Sequence, residues 1–463
     1  MKQQREHWGS RIGFIMAAAG SAIGLGSLWR FPYIAGQNGG GIFVLLYLAF
    51  TLFVALPVFI AELVLGRHAQ KSAVTAYAEL SGGSANWKIL GLLNVLTSFI
   101  ILSYYCIVSG WCVNYGLMSL SQFTVGKTPQ EISSLFDTLY KSADINLFWN
   151  FIFILLNVGV VYGGIRKGIE YWSRMLTPAL LVILIGLFAY STTLDGFSKA
   201  WHFILYPDTS RITPSGILDA LGMAFFTLSV GLGVILTYGS YMKPSEDIPK
   251  TGLIVSSMTV LISLIAALMI FPIIFTFGFE PQAGPGLVFK TLPVLFAKLP
   301  GTQVISTIFF TLFVFTALTS SISLFEVLVA NLIEMFNWSR TKAVLLSAAG
   351  VFAVGIPTAL AGSGLMFSNW KTLYGGKDFF DTVSYISGSW MLPIAALCTT
   401  LFTGWFFDKK ISQAEFLKGT TLGKLLHVWF FLVRWLAPIA ILLVILQEGG
   451  VLDINSLFQY GNK

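Results

Sequence analysis

Charged side chains are scarce in this sequence of 463 residues, because Asp, Glu, Lys and Arg together make up only 11% of it. A soluble domain carries about 25% charged residues, and half that share cannot cover the surface of a 50.7 kDa globule. Hydrophobic residues supply 56% of the chain and the mean hydropathy is +0.78. The chain is therefore predicted to lie in a membrane bilayer.

Cysteine and histidine are also rare, with three and four copies. The cysteines fall inside predicted membrane spans and are expected to be small apolar core residues. The histidines are scattered, none forms a metal-ligand pair, and no Ser-His-Asp set can be assembled, so we expect no enzyme. The net charge of +7 is spread over short loops, which argues against a nucleic-acid partner.

Eleven apolar segments are long enough to cross about 30 Å of hydrocarbon as helices of about 20 residues. Their predicted limits are 11–36, 41–66, 88–121, 147–163, 169–190, 215–242, 251–279, 302–334, 341–361, 379–406 and 424–447. A cytoplasmic N-terminus places most lysines and arginines inside, as the positive-inside rule requires. We therefore expect a multi-pass protein of the inner (plasma) membrane, with an extracellular C-terminus.

Segments 1 and 6 share an interruption by glycine. Ala22–Gly26 and Ser229–Gly233 both follow the pattern small, branched, Gly, Leu, Gly. Glycine in mid-helix is about 1 kcal/mol less favourable than alanine, although one such pair alone could also serve close helix packing. Glycine-interrupted helices at corresponding positions of two inverted halves indicate the midplane site of a transporter.

The expected fold is an all-α membrane protein with a 5+5 inverted repeat and broken helices 1 and 6. Five helices in the first set bring the second set into the membrane from the opposite side. A single transporter domain is expected over 1–447, with a first repeat at about 11–190, a second at about 215–406 and an extra helix at 424–447. Residues 448–463 form a short tail.

Several motifs make the chain resemble a known family. They are Arg5–Trp8, Gly20–Pro32, Asn38–Gly41, Phe225–Ser229, Leu318–Ser321, Tyr104–Tyr105 and Asp381. Together they resemble the neurotransmitter:sodium symporter family, above all its bacterial sodium-coupled transporters of hydrophobic amino acids, which have a leucine-transporter-like fold. The resemblance spans nearly the whole chain.

The resemblance implies two Na⁺ sites. The first would use the Ala22 carbonyl, Ser27, Thr227, Thr259 and the substrate carboxylate. The second would use oxygens of Gly20, Ile23, Thr316, Thr319 and Ser320. Family members usually carry Asn at the position of Ser27 and Asn or Asp at that of Thr259, so the first site has shorter ligands here.

Chloride dependence is left open by the sequence. Tyr47 and Ser263 match the chloride pattern of animal relatives, but Met223 stands where those relatives have Gln. Bacterial relatives that are independent of chloride often place a carboxylate where this chain has Ser263.

The resemblance also implies the class of substrate. Monoamine transporters have Asp where this chain has Gly24, so the ligand here must bring its own carboxylate, as an α-amino acid does. The carboxylate would meet the amides of Leu25 and Gly26 and the Tyr105 hydroxyl. The ammonium group would meet the carbonyls of Ala22, Phe226 and Thr227 and the Ser229 hydroxyl. None of these side chains is charged, so a charged substrate side chain would be buried without a partner.

The pocket for the substrate side chain would be lined by Ser21, Ile101, Phe226, Leu232, Ser320, Ser323 and Leu324. Leucine-selective relatives carry Phe at the position of Leu232, and Leu frees the volume of a ring. The predicted substrate is therefore bulky, tryptophan first, with Phe, Tyr, Leu and Ile tolerated.

Gates are expected on both sides of this pocket. Arg30 and Asp381 would close the outer vestibule over Phe226 and Tyr105. The residues that resemble the family's inner gate are Arg5, Trp8, Ser240, Tyr241 and Glu334. Gly168 and Pro178 in segment 5 are expected to let that helix unwind during inward release of sodium; the alternative is an ordinary kink.

The main interpretation is Na⁺-coupled import of amino acids, with substrate, sodium ions and the lipid bilayer as partners and the oligomeric state undetermined. Proton coupling in the same architecture needs a titratable group near the site, yet Glu62 and Glu326 are better explained as caps of helix breaks or neighbours of the inner gate. A channel needs an open polar path. An amino-acid sensor would carry a signalling domain, for which no loop is long enough.

Overall fold

The computed structural model describes residues 5–279, 286–367 and 369–452, and the regular elements within these ranges are all helical. Residues 453–463 of the predicted tail lie outside them. Among the described residues, nine helices are long and apolar enough to cross a membrane: Gly41–Ala69, Ala85–Leu120, Ala143–Val161, Ile165–Ser191, Ile248–Thr276, Thr302–Phe336, Arg340–Ala359, Phe379–Phe406 and Gly423–Glu448. They are segments 2 to 5 and 7 to 11 of the prediction, displaced at their ends by about one helical turn at most.

Segments 1 and 6 are the broken ones, which confirms the prediction from the glycine motifs. Segment 1 consists of Arg11–Ala22 and Gly26–Gln37, bent by 49° at the break. Segment 6 consists of Pro214–Thr227 and Val234–Gly239. With these two, the described chain has the eleven apolar helical segments expected.

Shorter helices connect the spans. They are Ala73–Leu80, Pro129–Lys141, Phe197–Leu205, Leu287–Phe296, Trp370–Leu373 and Lys409–Leu417.

Left-handed backbone explains why the break in segment 6 needs glycine. Gly231 and Gly233 have φ angles of 83° and 69°, in a backbone region that residues other than glycine rarely adopt. A Cβ on Gly231 would also lie 2.7 Å from the carbonyl oxygen of Leu392. The interruption is therefore fixed both by local conformation and by the close approach of segment 10.

Buried side chains of neighbouring helices satisfy the backbone that the breaks set free. Glu62 of segment 2 accepts a hydrogen bond from the Gly231 amide at 2.7 Å. The Ser98 hydroxyl of segment 3 donates to the Leu232 carbonyl at 2.6 Å. In hydrocarbon no water can replace such partners, so these contacts hold the unwound stretch in one conformation.

Segments 3 and 8 form the central pair of the bundle. They are the two longest helices described, 36 and 35 residues, and they share the most extensive helix–helix contact. The breaks of segments 1 and 6 lie against this pair. Cys106 and Cys112 are buried there, as expected, and Cys398 in segment 10 is half-buried.

Candidate functional site

A cavity of about 40 Å³ lies where the two helix breaks meet segments 3 and 8. Its lining consists of Ser21, Ala22, Gly24, Leu25, Gly26, Ile101, Tyr105, Phe226, Ser229, Leu232, Ser320, Ser323 and Leu324. Every residue predicted to contact the substrate is in this set except Thr227, and Gly24 joins it. The structure thus brings together residues from four segments that are far apart in the sequence.

Hydroxyl groups and free backbone form the polar half of the cavity. The Leu25 amide donates to the Tyr105 hydroxyl oxygen at 3.2 Å, which leaves the hydroxyl proton of Tyr105 available to a ligand. The hydroxyl oxygens of Ser21 and Ser323 lie 2.7 Å apart. The Ser229 hydroxyl donates to the Ser21 carbonyl at 3.2 Å and so joins the two breaks directly.

Gly24 is required by the space around it. A Cβ at this position would lie 2.7 Å from the Ser320 hydroxyl oxygen and 3.4 Å from that of Tyr105. A side chain there would have to displace the Ser320 hydroxyl. Gly24 thus offers no carboxylate, and the lining of the cavity carries no charged side chain.

Phe226 separates the cavity from the outer side. Its ring packs so closely on Gly26 that a Cβ there would meet the ring at 2.6 Å. The Arg30 guanidinium lies over the same ring, 4.9 Å from its centroid. Phe226 thus contacts both the cavity and the Arg30 guanidinium.

The predicted Arg30–Asp381 pair is not formed. Within the described residues Arg30 has no carboxylate in salt-bridge distance. Asp378 instead caps the first turn of segment 10, where its Oδ1 accepts a hydrogen bond from the Asp381 amide at 2.9 Å. A guanidinium gains from the face of an aromatic ring, so Phe226 and not Asp381 is the partner of Arg30 in this conformation.

Oxygens proposed for the second Na⁺ site converge between segments 1 and 8. Ser320 Oγ lies 3.2 Å from the Gly20 carbonyl oxygen, and Thr319 Oγ1 lies 3.0 Å from that of Thr316. Ile23 ends the first half of segment 1. Thr177 of segment 5, absent from the prediction, stands beside them, because a Cβ on Gly20 would lie 2.8 Å from its hydroxyl oxygen. The oxygen atoms of this group are uncharged, which suits a hard cation.

Residues proposed for the first Na⁺ site are less closely gathered. Ser27 Oγ lies 3.4 Å from the Ala22 carbonyl oxygen. The Thr259 hydroxyl donates within its own helix to Val255 at 2.9 Å. Thr227 Oγ1 lies 3.0 Å from the Tyr47 hydroxyl, which is itself 3.5 Å from Ser263 Oγ. Thr227 thus belongs to a cluster of hydroxyl groups with Tyr47 and Ser263.

The five residues predicted for the inner gate lie together in the structure. Arg5 bonds to Glu334 and to Ser240, and its guanidinium lies 4.4 Å from the centroid of the Tyr241 ring. Trp8 is fully buried. Its indole N–H donates to the Tyr238 carbonyl at 3.0 Å, and its amide donates to that of Tyr241 at 3.1 Å.

Two acidic residues extend this inner closure. Glu326 accepts from the Tyr241 hydroxyl at 2.8 Å and pairs with Arg340 at 2.5 Å, so it is a neighbour of the inner gate as expected. Glu170 accepts from the amides of Gly9 and Ser10 at 2.6 and 3.0 Å, a role the sequence interpretation missed. The available signal was a carboxylate inside an apolar segment, which must have a partner.

Segment 5 begins with a widened helical turn, Ile165–Glu170, that contains Gly168. A Cβ on Gly168 would lie 2.2 Å from the Val160 carbonyl oxygen, so glycine is required there by packing. Pro178 lies within the following regular helix and is exposed on its outer face.

Comparisons with known proteins agree with this geometry. The profile of the sodium:neurotransmitter symporter family matches residues 5–128 and 129–460. The uncharacterized sodium-dependent transporter YhdH of Bacillus subtilis is 37% identical over 98% of this chain and 99% of its own length. A sodium-dependent transporter of Haemophilus influenzae is 35% identical over 96% and 98%. The crystal structure of MhsT in complex with L-phenylalanine matches with a TM-score of 0.87 and 37% identity, over 96% of this chain and 99% of MhsT.

Glu334→Ala should loosen the inner closure, because it removes the carboxylate that binds Arg5 and the Ser72 amide and hydroxyl. Hydrogen bonds to a charged group contribute about 1.5–3 kcal/mol, so we expect amide exchange in residues 5–10 to accelerate at least roughly tenfold. Hydrogen–deuterium exchange read by mass spectrometry measures this. Glu79→Ala removes the same charge from an exposed position and should leave the exchange rate unchanged; equal rates in Glu334→Ala and the wild type would contradict the assignment.

Proposed function

Because the chain belongs to the sodium:neurotransmitter symporter family, whose members are transporters and not enzymes, we propose that it imports hydrophobic L-amino acids by Na⁺-coupled symport. Alternating access would be driven by the sodium gradient. The observation that carries the proposal is the uncharged cavity at the meeting point of two broken helices.

Free backbone at the breaks suits a zwitterion. The helix Gly26–Gln37 starts at the cavity, and the partial positive charge of its N-terminus favours a carboxylate. The helices Arg11–Ala22 and Pro214–Thr227 end there, and carbonyls at helix C-termini favour an ammonium group. The carboxylate is proposed to meet Leu25, Gly26 and Tyr105. Because Gly24 has no side chain, a substrate that carries an amine but no carboxylate would find no anionic partner in the cavity and would bring none to these donors.

The substrate side chain is proposed to be bulky and apolar, tryptophan first, with Phe, Tyr, Leu and Ile accepted. The MhsT structure, at 37% identity, holds L-phenylalanine, which supports this class. A cavity of about 40 Å³ has space for about three waters. A bulky side chain therefore requires Phe226 to swing toward the outer side, together with the Arg30 that lies on it.

Two Na⁺ ions are proposed at the sites formed around Ala22 and Ser27 and around Gly20 and Ser320. The substrate carboxylate would be a ligand of the first ion, so each would strengthen the binding of the other. Insertion in the plasma membrane with a cytoplasmic N-terminus places the Arg5–Glu334 closure on the cytoplasmic side.

Proton coupling is less well supported by the geometry. Glu62 is engaged by the Gly231 amide, and Glu326 by Tyr241 and Arg340, and neither lines the cavity. A channel is disfavoured because packed side chains separate the cavity from both surfaces.

Uptake of radiolabelled tryptophan into proteoliposomes tests the proposal. We expect accumulation with an inward Na⁺ gradient and none when choline replaces Na⁺. Protein-free liposomes control for leakage, and replacing chloride by gluconate decides whether chloride takes part. Accumulation under a pH gradient in the absence of sodium would overturn sodium coupling.

Tyr105→Phe should weaken tryptophan binding by roughly 10- to 100-fold, the usual effect of losing a hydrogen bond to a charged group. Tyr104→Phe is the matched control, since the Tyr104 hydroxyl contacts Ser387 at 3.4 Å and does not line the cavity. Equilibrium binding of tryptophan with saturating sodium measures both variants. Wild-type affinity in Tyr105→Phe would move the carboxylate site elsewhere.

Leu232→Phe should shift selectivity toward smaller amino acids, because a ring at this position fills the side-chain half of the cavity. Overpacking is typically unfavourable by about 1–3 kcal/mol, so we expect the affinity for tryptophan to fall at least about tenfold relative to that for leucine. Competition against radiolabelled leucine gives the ratio. Leu232→Ile conserves the side-chain volume and should retain the wild-type ratio of the two affinities. An unchanged ratio in Leu232→Phe would refute the size argument.

Unwinding of segment 5 is proposed to give water access to the second Na⁺ site, and Pro178→Ala tests it. Alanine restores a backbone hydrogen bond and removes a clash with the preceding turn, so the helix should resist unwinding. We expect slower sodium release and turnover with unchanged tryptophan affinity, measured by stopped-flow and uptake. Pro129→Ala, in the first turn of Pro129–Lys141, is the control; wild-type release in Pro178→Ala would favour an ordinary kink.

A further inference from the structure

A second, larger cavity lies on the outside of the bundle, between segments 3, 8 and 9. We name it the side groove. Its volume is about 760 Å³, within the range of roughly 300–1,000 Å³ found for binding sites of small organic ligands. The lining is apolar apart from Asn331 and Ser347, and it includes Ile89, Leu96 and Leu346, whose side chains are 61%, 49% and 45% exposed.

The length of the side groove corresponds to one leaflet of a bilayer. On segment 3 its lining runs from Ile89 to Phe99, which is about 15 Å along a helix axis at about 1.5 Å per residue. The hydrocarbon core of a bilayer is about 30 Å thick. A single acyl chain of one leaflet therefore matches the length and the apolar character of the groove.

Positive charge marks the end of the groove that faces the membrane surface. Lys88 immediately precedes Ile89, and the Lys342 ammonium lies 4.4 Å from the ring centroid of Trp338, which is part of the lining. Both lysines are exposed. In the described chain neither has a carboxylate within salt-bridge distance. Tryptophan is typical of the headgroup level of a bilayer, so a lipid phosphate would meet two ammonium groups there that have no carboxylate partner.

Ser347 supplies an unused donor deeper in the groove. It is only 4% exposed, it lines the groove, and its hydroxyl has no hydrogen-bond partner among the residues described. It follows Lys342 by five residues on the same helix, about 7.5 Å along the axis. In a glycerophospholipid the ester carbonyls lie below the phosphate and above the chains. The lysines, the serine and the apolar lining therefore follow one another along the groove in the same order as the phosphate, the ester and the acyl chain of a lipid.

We propose that the side groove binds an anionic glycerophospholipid, with one acyl chain along segments 3 and 8, its phosphate at Lys88 and Lys342, and an ester oxygen accepting from Ser347. A second copy of the chain would cover the apolar lining of the groove, but it would give no role to Lys88 and Lys342 or to the buried Ser347 hydroxyl. The proposal depends on the proposed orientation only for placing the lipid in the cytoplasmic leaflet.

Native mass spectrometry of the full-length protein, delipidated in a neutral detergent, tests the proposal. Titration with phosphatidylglycerol should give one tightly bound lipid, and phosphatidylcholine should bind more weakly. The ammonium group of a lysine strengthens the binding of a nearby anionic headgroup. We therefore expect each of Lys88→Gln and Lys342→Gln to weaken phosphatidylglycerol binding about fivefold. Lys424→Gln removes a charge from segment 11, away from the groove, and should have no effect.

Leu346→Trp tests the apolar part of the site, because it fills the groove and should abolish binding of the acyl chain. Leu345→Trp is the matched control, since Leu345 is 57% exposed and lies outside the lining. Tryptophan binding in the same samples reports folding independently of lipid and of transport. If Leu346→Trp fails to fold, the lysine variants and Ser347→Ala, which should also weaken binding, decide the question.

Three results would overturn the proposal. The first is equal binding of the two lipids with no effect of the lysine variants. The second is retention of phosphatidylglycerol by folded Leu346→Trp. The third is a lipid-free dimer, seen in the same spectra, that Leu346→Trp dissociates, because the occupant would then be a second copy of the chain.

Discussion

Hydrocarbon offers no hydrogen bonds, so every backbone group that leaves a helix inside the membrane needs a partner from the protein itself. The structure depends on this constraint at two places, the breaks of segments 1 and 6. Glu62 and Ser98 bind part of the freed backbone, and Ser229 and Ser320 join one break to the other and to segment 8. Residues of both breaks also line the cavity, where their backbone is proposed to receive a ligand. Scaffold and binding site therefore result from the same set of unsatisfied groups.

Charge is distributed according to the same constraint. The lining of the cavity carries none, whereas the layers at its two ends contain Arg30 on one side and Arg5, Glu334, Glu326 and Arg340 on the other. The inner layer joins the N-terminal segment to segments 6, 8 and 9, and to Ser72 beyond the end of segment 2, through hydrogen bonds to those few side chains. Opening that side must break several charge-assisted contacts together, which makes it a cooperative event and not a gradual one.

Much of the fold could be predicted from the sequence, because hydrophobic length and mid-span glycine are local signals. The eleven segments and both breaks follow from them directly. The membership of the cavity followed from the family resemblance, since Ile101, Leu232 and Leu324 look like ordinary apolar helix residues. Pairings were less predictable. Arg30 has two chemically reasonable partners, Phe226 and Asp381, and only the three-dimensional arrangement chooses between them. Glu170 and Thr177 were missed because their partners are backbone atoms or residues more than a hundred positions away.

The stacking of Arg30 on Phe226, a residue that also lines the cavity, has a consequence for the energetics of the transport cycle. The same residue lines the proposed binding cavity and contacts the Arg30 guanidinium. Fit of the ligand and closure of the outer side are therefore a single equilibrium. A molecule that fits poorly would shift this equilibrium toward the conformation that is open on the outer side, and no separate group would be needed to recognise it. Selectivity would then depend on the population of the closed conformation as well as on the affinity for the ligand.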